Sequence, residues 1–262
     1  MLYRESGYAY DITDAFAEEM TGEIVNDAVY NRNLLMETKY GMKFVALPEV
    51  SPTDTAQKDF ISGSQGYDVT IDQMSTAFPL AMKHYFYDFN SLTCLNTADP
   101  WWDANISRDL TVAGHLFAMA GDISNRPVGD ARFIYFSKGI LEEYGLDYPY
   151  DTVREGTWTI DVMTDMVSQV STDLDGDGQY TADDVLGLLK EQVPDFLTGC
   201  GIRYTALDEN GIPVIACIDE RTITAMEKIH MLFDLPNCTL SYDQASSGRD
   251  MSGYRLLFQK RL

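Results

Sequence analysis

A chain of 262 residues that is 45% hydrophobic and 12% aromatic can bury a sizeable core, and its length allows one or two domains. Nineteen Lys and Arg against 41 Asp and Glu leave a formal charge of −22, whose field repels phosphate backbones and anionic headgroups and so excludes nucleic acid as an expected partner. No run of 18 apolar residues offers a membrane span, and Arg4 and Glu5 interrupt what would be the apolar core of an export signal. Cys94, Cys200, Cys217 and Cys238 form no CxxC pair, and His84, His115 and His230 are far apart in sequence. A zinc finger or HExxH site is therefore excluded as a local motif, and isolated thiols are expected over a disulfide framework.

The first third alternates short strand-like and helix-like pieces. MLYRE reads as a strand, and Asn26 is placed to cap a helix through Tyr40, with Val29, Met36 and Tyr40 near one face and Gly41 as the stop. MKFVALPEV reads as a strand, TAQKDFISG as a short helix and YDVTIDQ as a third strand. This order predicts parallel strands joined by right-handed crossovers, an α/β class, with ligand-facing loops after the carboxyl ends of the strands. Those loops hold Ser6, Gly7 and Tyr8, and then Asp72, Gln73, Met74 and Ser75.

In the middle, DPWWD precedes LFAMAGDISNRP, a strand leading to an irregular loop. DARFIYFSKGILEEYGLDYP runs from an aromatic strand at 131–136 into a helix ended by Gly145. Thr159 caps a further helix with Val162, Met163, Met166, Val167 and Val170 on one side, and Trp158 before it reads as core. Thr181 is placed to cap a helix over DDVLGLLKEQ, with Asp184 at its third position as in a capping box. Further on, Gly199 and Gly201 precede a hairpin turning at Asn210-Gly211.

Between the Thr159 and Thr181 helices lies DLDGDGQYTADD, residues 173–184, with Asp at its first, third, fifth and twelfth places and Gly at the sixth. A solvated acidic turn would be rich in Asp and Gly too, but the spacing agrees with an EF-hand loop, departing in Asp184 where Glu is usual. A hard cation takes six to eight oxygens, and Asp173, Asp175, Asp177, the Gln179 carbonyl and Asp184 can supply most of them, which predicts a Ca2+ site. With one such loop in the chain, neither a paired-hand sensor nor a duplicated-loop docking module fits, and a structural ion is expected.

The succession NDAVYNRNLLMETKYGMKF, YDVTIDQ, DPWWDANISRDLTVAGHLFAMAGD, FIYFSKGILEEYGL and EGTWTIDVMTDMVSQVSTDLDGDG resembles the extracellular solute-binding proteins of ABC importers, in particular the carbohydrate-type family. The resemblance implies a two-lobed periplasmic-binding-protein-like fold, with a first lobe at 1–128, a second at 129–262, and hinge strands between them. It further implies a fragment, incomplete at the C-terminus and at the N-terminus, of a monomeric cell-surface lipoprotein that works with an ABC permease. The ligand it implies is a small solute, a mono- or oligosaccharide, held without turnover by aromatic faces and polar side chains. By position, Tyr8, Asp72, Gln73 and Ser75 would line the cleft from the first lobe, and Tyr135 and Phe136 would meet the ligand at the hinge. Trp101 and Trp102 read either as stackers, Trp102 foremost, or as an anchor under a loop. A glycoside hydrolase would need two carboxylates across a sugar site, and no pair stands out in this sequence. A calcium-dependent adhesion or scaffold module rests on the loop alone.

Overall fold

The computed structural model describes residues 1–4, 15–64, 66–124, 131–190, 192–241 and 244. The chain is mixed α/β with small sheets, and it divides into two compact units, Met1–Ala131 with Leu207–Val214, and Arg132–Ala206 with Ile215–Leu262. No helix among the described residues is long and apolar enough to cross a membrane.

In the first unit, β1 (Leu2–Arg4) lies between β2 (Leu47–Glu49) and β3 (Thr70–Ile71) in a parallel sheet, in register Leu2↔Leu47 and Leu2↔Thr70. Leu2 is fully buried at this centre, as a strand paired on both sides requires. The crossovers are α1 (Ile24–Tyr40) and α2 (Pro52–Ser62). The Glu23 carboxylate accepts from the Asn26 N–H at 2.7 Å, so Glu23 caps α1 in place of the expected Asn26, and Gly41 ends it at φ 64°. The inward face also differs from the expected stripe. Val29 and Asn33 are buried, the latter donating to the Ala15 carbonyl at 3.1 Å, while Tyr40 is exposed.

Beyond β3, α3 (Met74–Ala81) carries Pro79 inside it, and α4 (Ala104–Leu110) is capped by Asp103, which accepts from the Asn105 and Ile106 N–H groups at 2.9 Å. The strand expected at 116 onward is not formed among the described residues. The segment makes one isolated bridge, Trp102↔Gly121. A Cβ at Gly121 would lie 2.1 Å from the Trp101 carbonyl oxygen, so the two backbones touch there.

The second unit opens with α5 (Lys138–Glu143), α6 (Tyr150–Arg154) and α7 (Ile160–Val167), followed by β4 (Ser171–Thr172), β5 (Val185–Leu186) and β6 (Leu188–Lys190). Then come α8 (Val193–Gly199), the hairpin of β7 (Thr205–Leu207) and β8 (Pro213–Ile215), whose Leu207–Val214 stretch with Gly211 at φ 73° belongs to the first unit, and α9 (Glu220–Phe233) and β9 (Thr239–Ser241). Thr159 caps α7 as expected, accepting from the Val162 N–H at 3.3 Å. The core joins Met163 and Val167 of α7 to Leu232 of α9 and to Cys238, with Trp158, Leu188 and Phe233 packed on it. All four cysteines are free thiols.

Two expectations fail in this unit. Residues 131–136 form no strand. Phe133, Ile134 and Tyr135 are largely exposed, and no neighbouring strand offers them a ladder among the described residues. The helix expected after Thr181 is instead β5 and β6. β5 pairs antiparallel with β4, β6 pairs parallel with β9, and between them a Cβ on Gly187 would lie 2.4 Å from the Val167 carbonyl oxygen. The short apolar run VLGLL is ambiguous by periodicity, and its strand partners decide the outcome.

Candidate functional site

The loop 173–184 leaves α7 through β4 and returns through β5, whose Thr172↔Val185 pair closes it at the base. It is therefore a loop on a two-stranded ribbon and does not join two helices. Inside it, the carboxylates chiefly serve the backbone. Asp173 accepts from the Gly176 N–H at 2.7 Å and the Gly178 N–H at 2.8 Å, Asp175 from the Asp177 N–H at 3.1 Å, and Asp177 from the Gln179 N–H at 2.7 Å. Gly176 and Gly178 both take φ 76°, the left-handed conformation that lets successive carboxylates curl to one side.

The result is a convergent donor set. Ligand atoms of Asp173, Asp175 and Asp177 lie within 4.8 Å of one another. Oxygens bound to one calcium at 2.3–2.6 Å are at most about 5 Å apart, so the three carboxylates fit a shared hard cation. Asp184 stands apart from this group. It is buried, with one oxygen accepting from the Leu174 N–H at 3.0 Å and the other from the Thr181 N–H at 2.7 Å and the Thr181 hydroxyl at 3.1 Å. The expected capping-box bond from Asp184 back to Thr181 is thus present without the helix, closing a turn. Gln179 contributes its N–H and side-chain amide to Asp177.

Charge crowding shows at Asp175. The Asp177 N–H pulls its pKa down, but partial desolvation, the charges of Asp177 and Asp184 and its contact with Asp173 together carry it above the usual carboxylate range. A bound divalent cation would reverse that balance.

At the other candidate region, the parallel order β2-β1-β3 brings the carboxyl ends of β1 and β3 side by side. Arg4 and Asp72 stand there at the carboxyl ends. Arg4 Nε donates to Asp72 at 2.6 Å, and Arg4 Nη1 donates to the Val50 carbonyl at 2.8 Å, so one guanidinium ties the ends of all three strands. The Asp72 carboxylate is 1% exposed and accepts also from the Gln73 N–H at 2.7 Å and from the Thr53 N–H, in the first turn of α2, at 3.2 Å. Burial opposes its charge, yet Arg4, the Gln73 N–H and Thr53 outweigh burial and hold its pKa below the ordinary range.

Of the ligand-facing residues expected from sequence, Asp72 is therefore already committed to protein partners, and it fills the anion position at the start of α2. Gln73 and Ser75 are exposed at the start of α3. Tyr8 lies outside the described residues. Tyr135 is exposed, and Phe136 is half-buried and packs on Tyr148 and Tyr150 at centroid distances of 6.2 and 5.4 Å. Trp101 is half-exposed, whereas Trp102 is partly buried with its Nε1 enclosed and without a hydrogen-bond acceptor among the described residues. The sequence reading missed Arg4 as the partner of Asp72. Its signal is an arginine closing β1 while Asp72 directly follows the neighbouring β3, visible only once the strands are ordered.

Comparison of the chain with family models, with curated proteins and with solved structures finds no match.

Proposed function

We propose that this chain is the extracytoplasmic solute-binding component of an ABC importer, taking a small solute of the mono- or oligosaccharide class, with a structural calcium loop in its second unit. The observation that supports this reading is the parallel β2-β1-β3 sheet, with the start of α3 just beyond the carboxyl end of β3. The carboxyl ends of the strands are where open α/β sheets receive ligands. At that edge Asp72 is neutralised by Arg4, and Gln73 and Ser75 offer uncharged polar groups, a set suited to hydroxyls. The two-lobed binding fold, the surface lipoprotein setting and the permease partner belong to the same proposal, as does binding without turnover.

The test is a panel of mono- and oligosaccharides read by thermal shift and by product analysis. Stabilisation by a sugar without product supports the reading, product formation replaces it with a hydrolase, and no response to any sugar overturns the carbohydrate assignment. A second reading, a calcium-dependent adhesion or scaffold module, is favoured by the convergence of Asp173, Asp175 and Asp177 alone. It predicts calcium-dependent stability with an inert sugar panel.

A further inference from the structure

The segment that enters and leaves α5 gathers aromatic rings around a cation. Ser137 caps α5 by accepting from the Ile140 N–H at 3.3 Å, and Gly145 ends the turn at φ 66° with the Leu146 N–H on the Leu141 carbonyl at 2.8 Å. Both ends of this tight helical turn are thereby held, which brings Phe136 on its entry side against Tyr148 and Tyr150 on its exit side. The tyrosine rings stand 6.0 Å apart at 73°, forming a corner, and Phe136 packs behind it at 63° to Tyr150 and 39° to Tyr148. Into that corner reaches Lys138, its Nζ 5.3 Å from the Tyr148 centroid and 5.6 Å from the Tyr150 centroid. The Tyr148 hydroxyl donates to the Glu142 carboxylate, which adds negative charge beside the same ring.

We propose that Phe136, Tyr148 and Tyr150 form an aromatic cage for an organic cation of the quaternary ammonium class, in which the Lys138 ammonium is the resident cation that a ligand displaces. The ring faces attract any cation within about 6 Å of their centroids, and walls set at steep angles to one another direct two faces onto one point. A lysine ammonium is compact and strongly hydrated and sits on a flexible stem, so it gives up more water in the corner than a tetraalkylammonium does. The exchange therefore favours the methylated cation, and the chain's net charge of −22 concentrates cations around it. This inference goes beyond the transport reading and shares only Phe136 with it.

The experiment titrates the full chain with tetramethylammonium chloride against sodium chloride at equal ionic strength, by calorimetry or by ligand-observed NMR. Tetramethylammonium is expected to bind where sodium does not, Lys138→Ala to tighten it about threefold to fivefold by removing the resident competitor, and Tyr150→Ala to weaken it by a similar factor. Tyr150 is 44% exposed, so its removal spares the core. Tyr148→Phe, which keeps the ring and drops the Glu142 hydrogen bond, is expected to retain binding. A Lys138→Ala chain that takes tetramethylammonium no better than sodium overturns the cage, as does Tyr150→Ala binding unchanged. Equal affinity in the parent and Lys138→Ala chains overturns the role of Lys138. Sugar titrations report separately on the transport reading, so either can fail without the other.

Discussion

Asp72 in the first unit and Asp175 in the second are both loop carboxylates in a strongly acidic chain, and their surroundings push them in opposite directions. Asp72 is almost fully enclosed, yet a guanidinium at 2.6 Å and two backbone N–H groups keep it charged and lower its pKa. Asp175 is exposed, yet partial desolvation, the charges of Asp177 and Asp184 and its contact with Asp173 together outweigh the one N–H that favours its charge, and its pKa rises. Burial alone therefore does not rank the two. The first carboxylate has its counter-charge built into the chain, and the second has none among the described residues, a role a divalent cation could fill.

The largest effect should come from breaking the satisfied site. Asp72→Ala leaves Arg4 without its carboxylate and strips an acceptor from the start of α2, and is expected to cost about 3 kcal/mol in urea unfolding. A loss below about 1 kcal/mol would mean that Arg4 finds water instead and that the strand ends are not tied through it.

Completing the unsatisfied site comes next. Calcium at about a hundredfold over its dissociation constant should add about 2.7 kcal/mol of stability. Asp173→Asn with Asp177→Asn should abolish that gain while leaving melting in chelator unharmed. Equal melting of the parent chain in calcium and in chelator would sink the site. Gly178→Ala forces a Cβ into a backbone at φ 76° and should cost about 1 kcal/mol, with weaker calcium binding.

The smallest effect is the most direct contrast, a difference in sign with pH. A lowered pKa, as at Asp72, contributes stability that is present above the unfolded carboxylate range and lost as pH falls through the folded value. A raised pKa, as at Asp175, works the other way. The folded chain holds that proton more tightly, so its contribution is full below the unfolded value and lost as pH rises through the folded one. In chelator, Asp175→Asn should therefore stabilise the chain slightly at neutral pH and make no difference well below the carboxylate range. Destabilisation by Asp175→Asn at neutral pH in chelator would contradict the crowding.

Local signals in the chain set the structure where one residue type decides the geometry. Thr159 announced α7, Gly41 and Gly145 announced two helix ends, and Asn210-Gly211 announced the hairpin, because caps and left-handed turns are settled by neighbours in sequence. The spacing of Asp173, Asp175, Asp177 and Gly178 likewise dictated the curl of the 173–184 loop, since each carboxylate bonds an N–H two to five residues on. The apolar stretches were a different matter. VLGLL suits a helix turn or two strands, and FIYF suits a strand that here has no ladder partner among the described residues.

What the sequence determined by itself is thus the acidic surface, the three-strand α/β rhythm of the first unit and the chemistry of the 173–184 loop, all properties carried by composition or short spacing. Only the tertiary structure decided that Arg4 answers Asp72, that Lys138 sits between Tyr148 and Tyr150, and that residues 185–190 are strands. Each of these depends on which distant segment comes alongside: β1 beside β3, the exit of α5 beside its entry, and β9 beside β6. A strand or an ion pair is completed by its partner, and that partner is absent from the local sequence.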